Sequence, residues 1–264
     1  MSYMLKFTHP FHLVTLSPWP LMTSFSILNS LIGTIQWLNE HNSILISLSG
    51  FSLIINIFQW WRDITRESTY QGFHTFEVYK LMRLGMILFI ISEIFFFLSF
   101  FWTFFHVSLT PNIEIGGNWP PLSIVPFNPY NIPLLNTIIL LTSGMSITWS
   151  HYCILNNMKS SSSKSLFLTI ILGGYFTSIQ MIEYQESLFS INDSVFGSIF
   201  FLITGFHGIH VIIGTIFILL TFFRLKKSHF SSCHHFGFEA SSWYWHFVDV
   251  IWLFVYIFLY WWIF

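Results

Sequence analysis

The chain has 264 residues, with 10 Lys and Arg against 11 Asp and Glu and a net charge of −1. Charged side chains make up 8% of it and hydrophobic ones 54%, with aromatics at 21%; a soluble domain carries about 25% charged residues. Those values exclude a disordered chain, argue against a soluble globular one, and leave no basic surface large enough to hold nucleic acid.

A helix that crosses a bilayer needs about 20 mostly apolar residues. Seven segments qualify in chain order: 21–38, the most polar of them, then 43–61, 82–105, 132–152, 165–184, 195–223 and 238–262. The predicted fold class is therefore all-α, a polytopic membrane protein with seven transmembrane helices in one membrane domain over 1–264. The polar run at 160–164 reads as a short turn, and no internal repeat is visible. The first twenty residues lack the basic and apolar regions of a signal peptide. With one Lys, no Arg and three Pro they do not read as a transit peptide either, so a protein that lives in an organelle is expected to be made there. A single alanine, Ala240, beside abundant Phe and Ile fits an A/T-rich genome.

The charges give the topology. With seven spans, Lys6, Arg62, Arg66, Lys80, Arg83, Lys159, Lys164, Arg224, Lys226 and Lys227 all fall on the N-terminal side. Glu40, Glu114, Glu183, Glu186 and Asp193 fall on the other. Basic loops stay where the chain was made, so the N-terminus is expected in the matrix or cytoplasm and the C-terminus outside. Trp60/Trp61 and Trp261/Trp262 sit at span ends, where aromatic belts form.

Ionisable groups inside a membrane are functional candidates. Glu93 lies about 16 Å into the third span at 1.5 Å per residue. Burial disfavours its charged form, so it is expected largely neutral, as a proton-linked, subunit-contact or packing carboxyl. His207 and His210 share one helix face; they read mainly as a packing and hydrogen-bonding pair, with Gly205, Gly208 and Gly214 allowing close helix approach. Haem ligation would need an opposing ligand, for which His246 is the candidate. Glu239, His246 and Asp249 share a face at helical spacing. They form either a relay or a network satisfied by neighbours such as Arg83 or Lys80. Cys153 and Cys233 make no CxxC pair. His229, His234 and His235 resemble one histidine box of a di-iron enzyme, but such enzymes need several. No metal site and no catalytic group are expected in this chain. Arg66 and His74 after the second span, and Arg224, Lys227 and His229 after the sixth, sit at headgroup depth, where basic groups hold anionic lipids.

The segments QWWRDITREST, GMILFIISEIFFF, GGNWPP, TGFHGIHVIIGT and HHFGFEASSWYWHFVDVIWLF resemble cytochrome c oxidase subunit III of the mitochondrial, animal type, from about Ser17 to the end. The resemblance implies a seven-helix bundle with a lipid-filled V-shaped cleft between helices over 21–61 and those over 82–262. It implies a core subunit of the terminal respiratory oxidase, which passes electrons from cytochrome c to oxygen and pumps protons. Haem and copper would lie in partner subunits I and II, and this chain would hold only phospholipids. Its implied role is to support assembly, proton uptake and stability of catalytic subunit I, in contact with accessory subunits, in the mitochondrial inner membrane. By similarity Glu93 is the buried carboxyl, and Trp61, Arg66, Glu67, His74, Arg224, Lys227 and His229 are lipid contacts. Alternatives are a subunit III of a quinol-oxidising relative, a proton-coupled carrier using Glu93, or a metal or haem enzyme using His207, His210 and His246.

Overall fold

The computed structural model describes residues 9–264, so Lys6 and the first residues of the N-terminal stretch lie outside the described part. Among the described residues there are seven long helices: α1 Trp19–Glu40, α2 Ile44–Thr69, α3 Phe76–Leu109, α4 Ile132–Leu155, α5 Lys159–Glu186, α6 Ser194–Lys226 and α7 Phe236–Val255. A short π-helical turn, Tyr256–Trp261, continues α7, and among the described residues there is no strand. Six of the seven, α2 to α7, are long and apolar enough to cross a membrane. α1 has the length, but Thr23, Ser24, Ser26, Asn29, Ser30 and Thr34 dilute its apolar content.

The chain divides into two compact units, Met1–Met82 and Arg83–Phe264. In the first, α1 and α2 form an antiparallel hairpin closed by His41 in the left-handed conformation (φ 57°). Gly33 lets the backbones touch, because a Cβ there would stand 2.6 Å from the Ile46 nitrogen. Polar side chains line the seam. Ser26 Oγ lies 2.7 Å from Ser52 Oγ, and Asn56 Nδ2 donates to Ser26 Oγ at 3.0 Å. Such bonds join helices where no water competes.

The second unit packs α4 on α5, α5 on α6, and α7 on both α4 and α6. Trp245 of α7 is its central wedge, fully buried, with its Nε1 donating to Ser143 Oγ of α4 at 2.8 Å. It fits because two facing positions are glycine. A Cβ on Gly173 would stand 2.8 Å from the indole, and one on Gly214 2.9 Å. Among the described residues nothing lies within 4 Å of a Cβ at Gly205 or Gly208, so within this chain only Gly214 of the three brings helices together. α3 joins this unit through aromatic rings, with Phe97 against Phe247 and Phe101 against Phe258. Most of its other side chains, such as Leu88, Ile91, Phe95 and Leu98, remain exposed.

Two further expectations change. The serine run at 160–164 is not a turn but the first turns of α5, where Ser162 is buried and its hydroxyl lies 2.9 Å from Ser150 Oγ of α4. Glu183, at the end of the expected fifth span and counted with the acids of the far side, is fully buried in α5. It shares a buried region with Gln180, Asn136 and Tyr260.

Candidate functional site

Three sets of polar residues stand out, and the first lies wholly within the α1–α2 unit. α2 continues past the expected span end to Thr69, which carries Arg66 and Glu67 on a helix rather than a loop. A pocket of about 630 Å³ opens there, lined by Trp19, Trp60, Asp63, Arg66, Glu67 and His74 among others. Asp63 anchors one wall: Trp19 Nε1 donates to it at 2.7 Å, and the Arg62 guanidinium donates to its other oxygen at 3.0–3.1 Å. Glu67 also lines the pocket, accepting from Thr15 at 2.9 Å and facing His12 Nε2 at 3.7 Å. Arg66 touches Asp63 only at 3.7 Å, and its side chain stays 57% exposed, which leaves the guanidinium free to meet an added anion. Arg66, Glu67 and His74 thus share one pocket. Trp61 does not line it; it is exposed, and its neighbour Trp60 takes the place expected for it. The pocket residues Trp19, Asp63, Thr15 and His12 were not foreseen. Their sequence signal was only an acid and a tryptophan in otherwise apolar text.

The second set lies at the end of α6. Arg224 is half-buried, its guanidinium stacks on the Phe230 ring 4.7 Å away, and its Nε has no hydrogen-bond partner among the described residues. Lys227 and His229 follow, with the His229 amide bonded to the Arg224 carbonyl at 3.0 Å. No salt bridge reaches Arg224 or Lys227 among the described residues. The surplus of positive charge is felt by the nearby imidazoles. His229 is held below its ordinary pKa by burial and then by Arg224 and Lys227. His234 is held down by burial, Arg224 and His235.

The third set is intramembrane. Glu93 Oε2 of α3 lies 3.0 Å from His210 Nε2 of α6. His210 Nδ1 lies 2.7 Å from the Phe206 carbonyl oxygen, which only accepts, so Nδ1 carries a proton. The contact to Glu93 therefore holds one more shared proton, as carboxylic acid with neutral imidazole or as carboxylate with imidazolium. Phe97, Tyr244 and Phe247 ring His210, which is 9% exposed, whereas the Glu93 side chain is 23% exposed. Glu93 is thus only partly enclosed within this chain.

His207, His210 and His246 do not converge. His207 packs against Phe176 and Trp252, and neither of its ring nitrogens has a hydrogen-bond partner among the described residues. His246 contacts Thr148 at 3.4 Å and Asp249 at 3.7 Å. The Glu239, His246 and Asp249 face also divides. Asp249 turns toward α4, where a Cβ on Gly144 would stand 2.7 Å from it. Glu239 instead takes a bidentate pair from Arg83 at 2.8–3.1 Å.

Comparison with known proteins places these features in a family. The model of the family described as cytochrome c oxidase subunit III matches residues 9–264. Similar proteins named cytochrome c oxidase subunit 3 include that of Aedes aegypti, 55% identical, and that of Drosophila melanogaster, 54% identical. Both alignments cover 96% of this chain and 97% of the relative. The protein of that name from Rhipicephalus sanguineus is 56% identical, with 96% of this chain and 99% of the relative covered. The helical architecture, six of its helices suited to crossing a membrane, and a match over nearly the whole length agree: the chain belongs to the cytochrome c oxidase subunit III family.

Proposed function

We propose that this chain, a subunit of the terminal respiratory oxidase and a multi-pass inner-membrane protein, serves the complex by holding anionic phospholipid and by supporting proton uptake, without a redox centre of its own. The carrying observation is Arg224. A half-buried guanidinium with an unpartnered Nε, beside Lys227 and with no acid paired to it, is suited to a phosphate from a lipid headgroup. Arg66 in the α1–α2 pocket supplies a second such group, with Trp60 as an amphipathic wall. The separate settings of His207, His210 and His246 support haem and copper being held by subunits I and II. The basic residues favour the N-terminus in the matrix and the C-terminus in the intermembrane space. The long exposed apolar face of α3 is suited to lipid and to the catalytic subunit, and the shared proton of Glu93 and His210 supports a proton-linked role for Glu93.

Native mass spectrometry of the purified complex tests the lipid reading. Arg224→Ala is expected to lose retained anionic phospholipid and weaken association of this subunit, and Arg66→Ala to lose lipid from the other site. Unchanged lipid retention in Arg224→Ala overturns the assignment of that arginine.

A further inference from the structure

We propose that His151, His235 and Glu239 form a binding site for a divalent cation of the zinc class. His151 lies near the end of α4, His235 is the N-cap of α7, and Glu239 follows one turn later. Their ligand atoms all lie within 4.8 Å of one another. His151 Nε2 is 3.3 Å from His235 Nε2, and His235 Nε2 is 3.5 Å from Glu239 Oε1. In a tetrahedral site with metal–ligand bonds of about 2.0–2.1 Å, neighbouring ligand atoms stand about 3.3–3.4 Å apart. Two edges of the triangle therefore already have the size that zinc requires.

The protons point the same way. His235 Nδ1 lies 3.0 Å from the Ser231 carbonyl oxygen, so the proton sits on Nδ1 and the neutral ring presents a lone pair at Nε2. A backbone carbonyl orienting a histidine in this manner is a frequent support of metal-binding imidazoles. That lone pair faces a carboxylate oxygen and accepts the proton of His151 Nε2, so a cation that displaces this one proton meets three ligand atoms at one point. Arg83 grips Glu239 from the other side and fixes the carboxylate without using up Oε1, which has two lone pairs. His235 and Glu239 are buried while His151 is half-buried, which gives an ion a way in. Two imidazoles and one carboxylate suit zinc, whereas magnesium and calcium take oxygen ligands. A bound ion would tie the end of α4 to the start of α7.

The competing occupant is a proton on His235, which would make an ion pair with Glu239. The purified, assembled oxidase is equilibrated with Zn²⁺, freed of excess and studied by diffraction at the zinc absorption edge. The expected result is an anomalous peak about 2.0–2.1 Å from both Nε2 atoms. No peak there, at a concentration that loads other positions on the complex, overturns the proposal. Metal analysis of the complex gives a second reading. His151→Ala should lower the bound zinc by one equivalent and His229→Ala should not; unchanged zinc in assembled His151→Ala complex also overturns it. If His151→Ala does not assemble, the diffraction result on the unaltered complex decides.

Discussion

Glu93 and His210 are joined across α3 and α6 by a 3.0 Å contact that contains a single proton, because the other nitrogen of His210 already donates to the Phe206 carbonyl. The pair sits under Phe97, with Glu93 on the partly open side of α3. A proton held between two such groups can move from one to the other without any net change in charge within the membrane.

Glu93→Gln should preserve the contact, because the amide can donate to the bare Nε2 of His210. The complex is expected to assemble with unchanged haem spectra while its proton-linked behaviour or endurance under turnover falls. Glu93→Ala should do the same and also leave His210 Nε2 unpartnered, at about 1–3 kcal/mol in stability. Infrared difference spectra should show a carboxyl or carboxylate band that Glu93→Gln removes. Altered haem spectra in Glu93→Ala would place the residue next to the redox centres and contradict its remoteness from them.

The glycines around Trp245 make a contrasting set. Gly173→Ala and Gly214→Ala put a methyl group against the indole, and a rigid, fully buried ring cannot yield cheaply. Each is expected to destabilise the second unit by about 1–3 kcal/mol. Gly205→Ala and Gly208→Ala meet open space and gain helix propensity, so they should be neutral or mildly stabilising. Thermal dissociation of this subunit from the complex, compared over the four variants, checks the ordering; equal losses at all four would mean that Trp245 is not the wedge.

The histidines near Arg224 predict a pH dependence. His229 and His234 have pKa values lowered from an ordinary 6.5, so folded protein binds fewer protons there than unfolded chain. Their neutral state costs nothing above that value, and stability is lost as pH falls below it toward the lowered values. An anionic headgroup at Arg224 opposes the repulsion and raises both pKa values. By linkage, lipid retention should then strengthen as pH drops from neutral through the range below 6.5. Lipid counted by mass spectrometry across that range should rise, and His229→Gln should flatten the slope; a flat profile in the unaltered complex would count against headgroup binding here.

Much of the architecture was legible in one dimension. Long apolar stretches must form helices in lipid, because every backbone polar group has to be satisfied internally, and the sequence therefore announced α2 to α7 by hydrophobicity alone. The family was legible too, since TGFHGIH and HHFGFEASSWYWHF carry it. Helix ends were less so: Arg66 and Ser162 lie on helices because polar side chains can extend a helix beyond the apolar span.

What only the tertiary structure decided was which polar groups meet. Helical spacing put His207 with His210, and Glu239 with His246 and Asp249. Packing gave His207 and His210 different neighbours and left His246 with Asp249 while Glu239 pairs elsewhere, because residues on one stripe face different partner helices in a crowded bundle. His210 turns to Glu93, Glu239 to Arg83, and Asp249 to the α4 backbone at Gly144. Glu183, at the end of the fifth apolar stretch, counted with the far-side acids, yet packing buries it completely in α5. His151 and His235 are far apart in the chain and meet only because α4 and α7 pack side by side. Composition and periodicity determine that a residue lies in the membrane; the pairing of its side chain depends on three-dimensional contacts that no local pattern encodes.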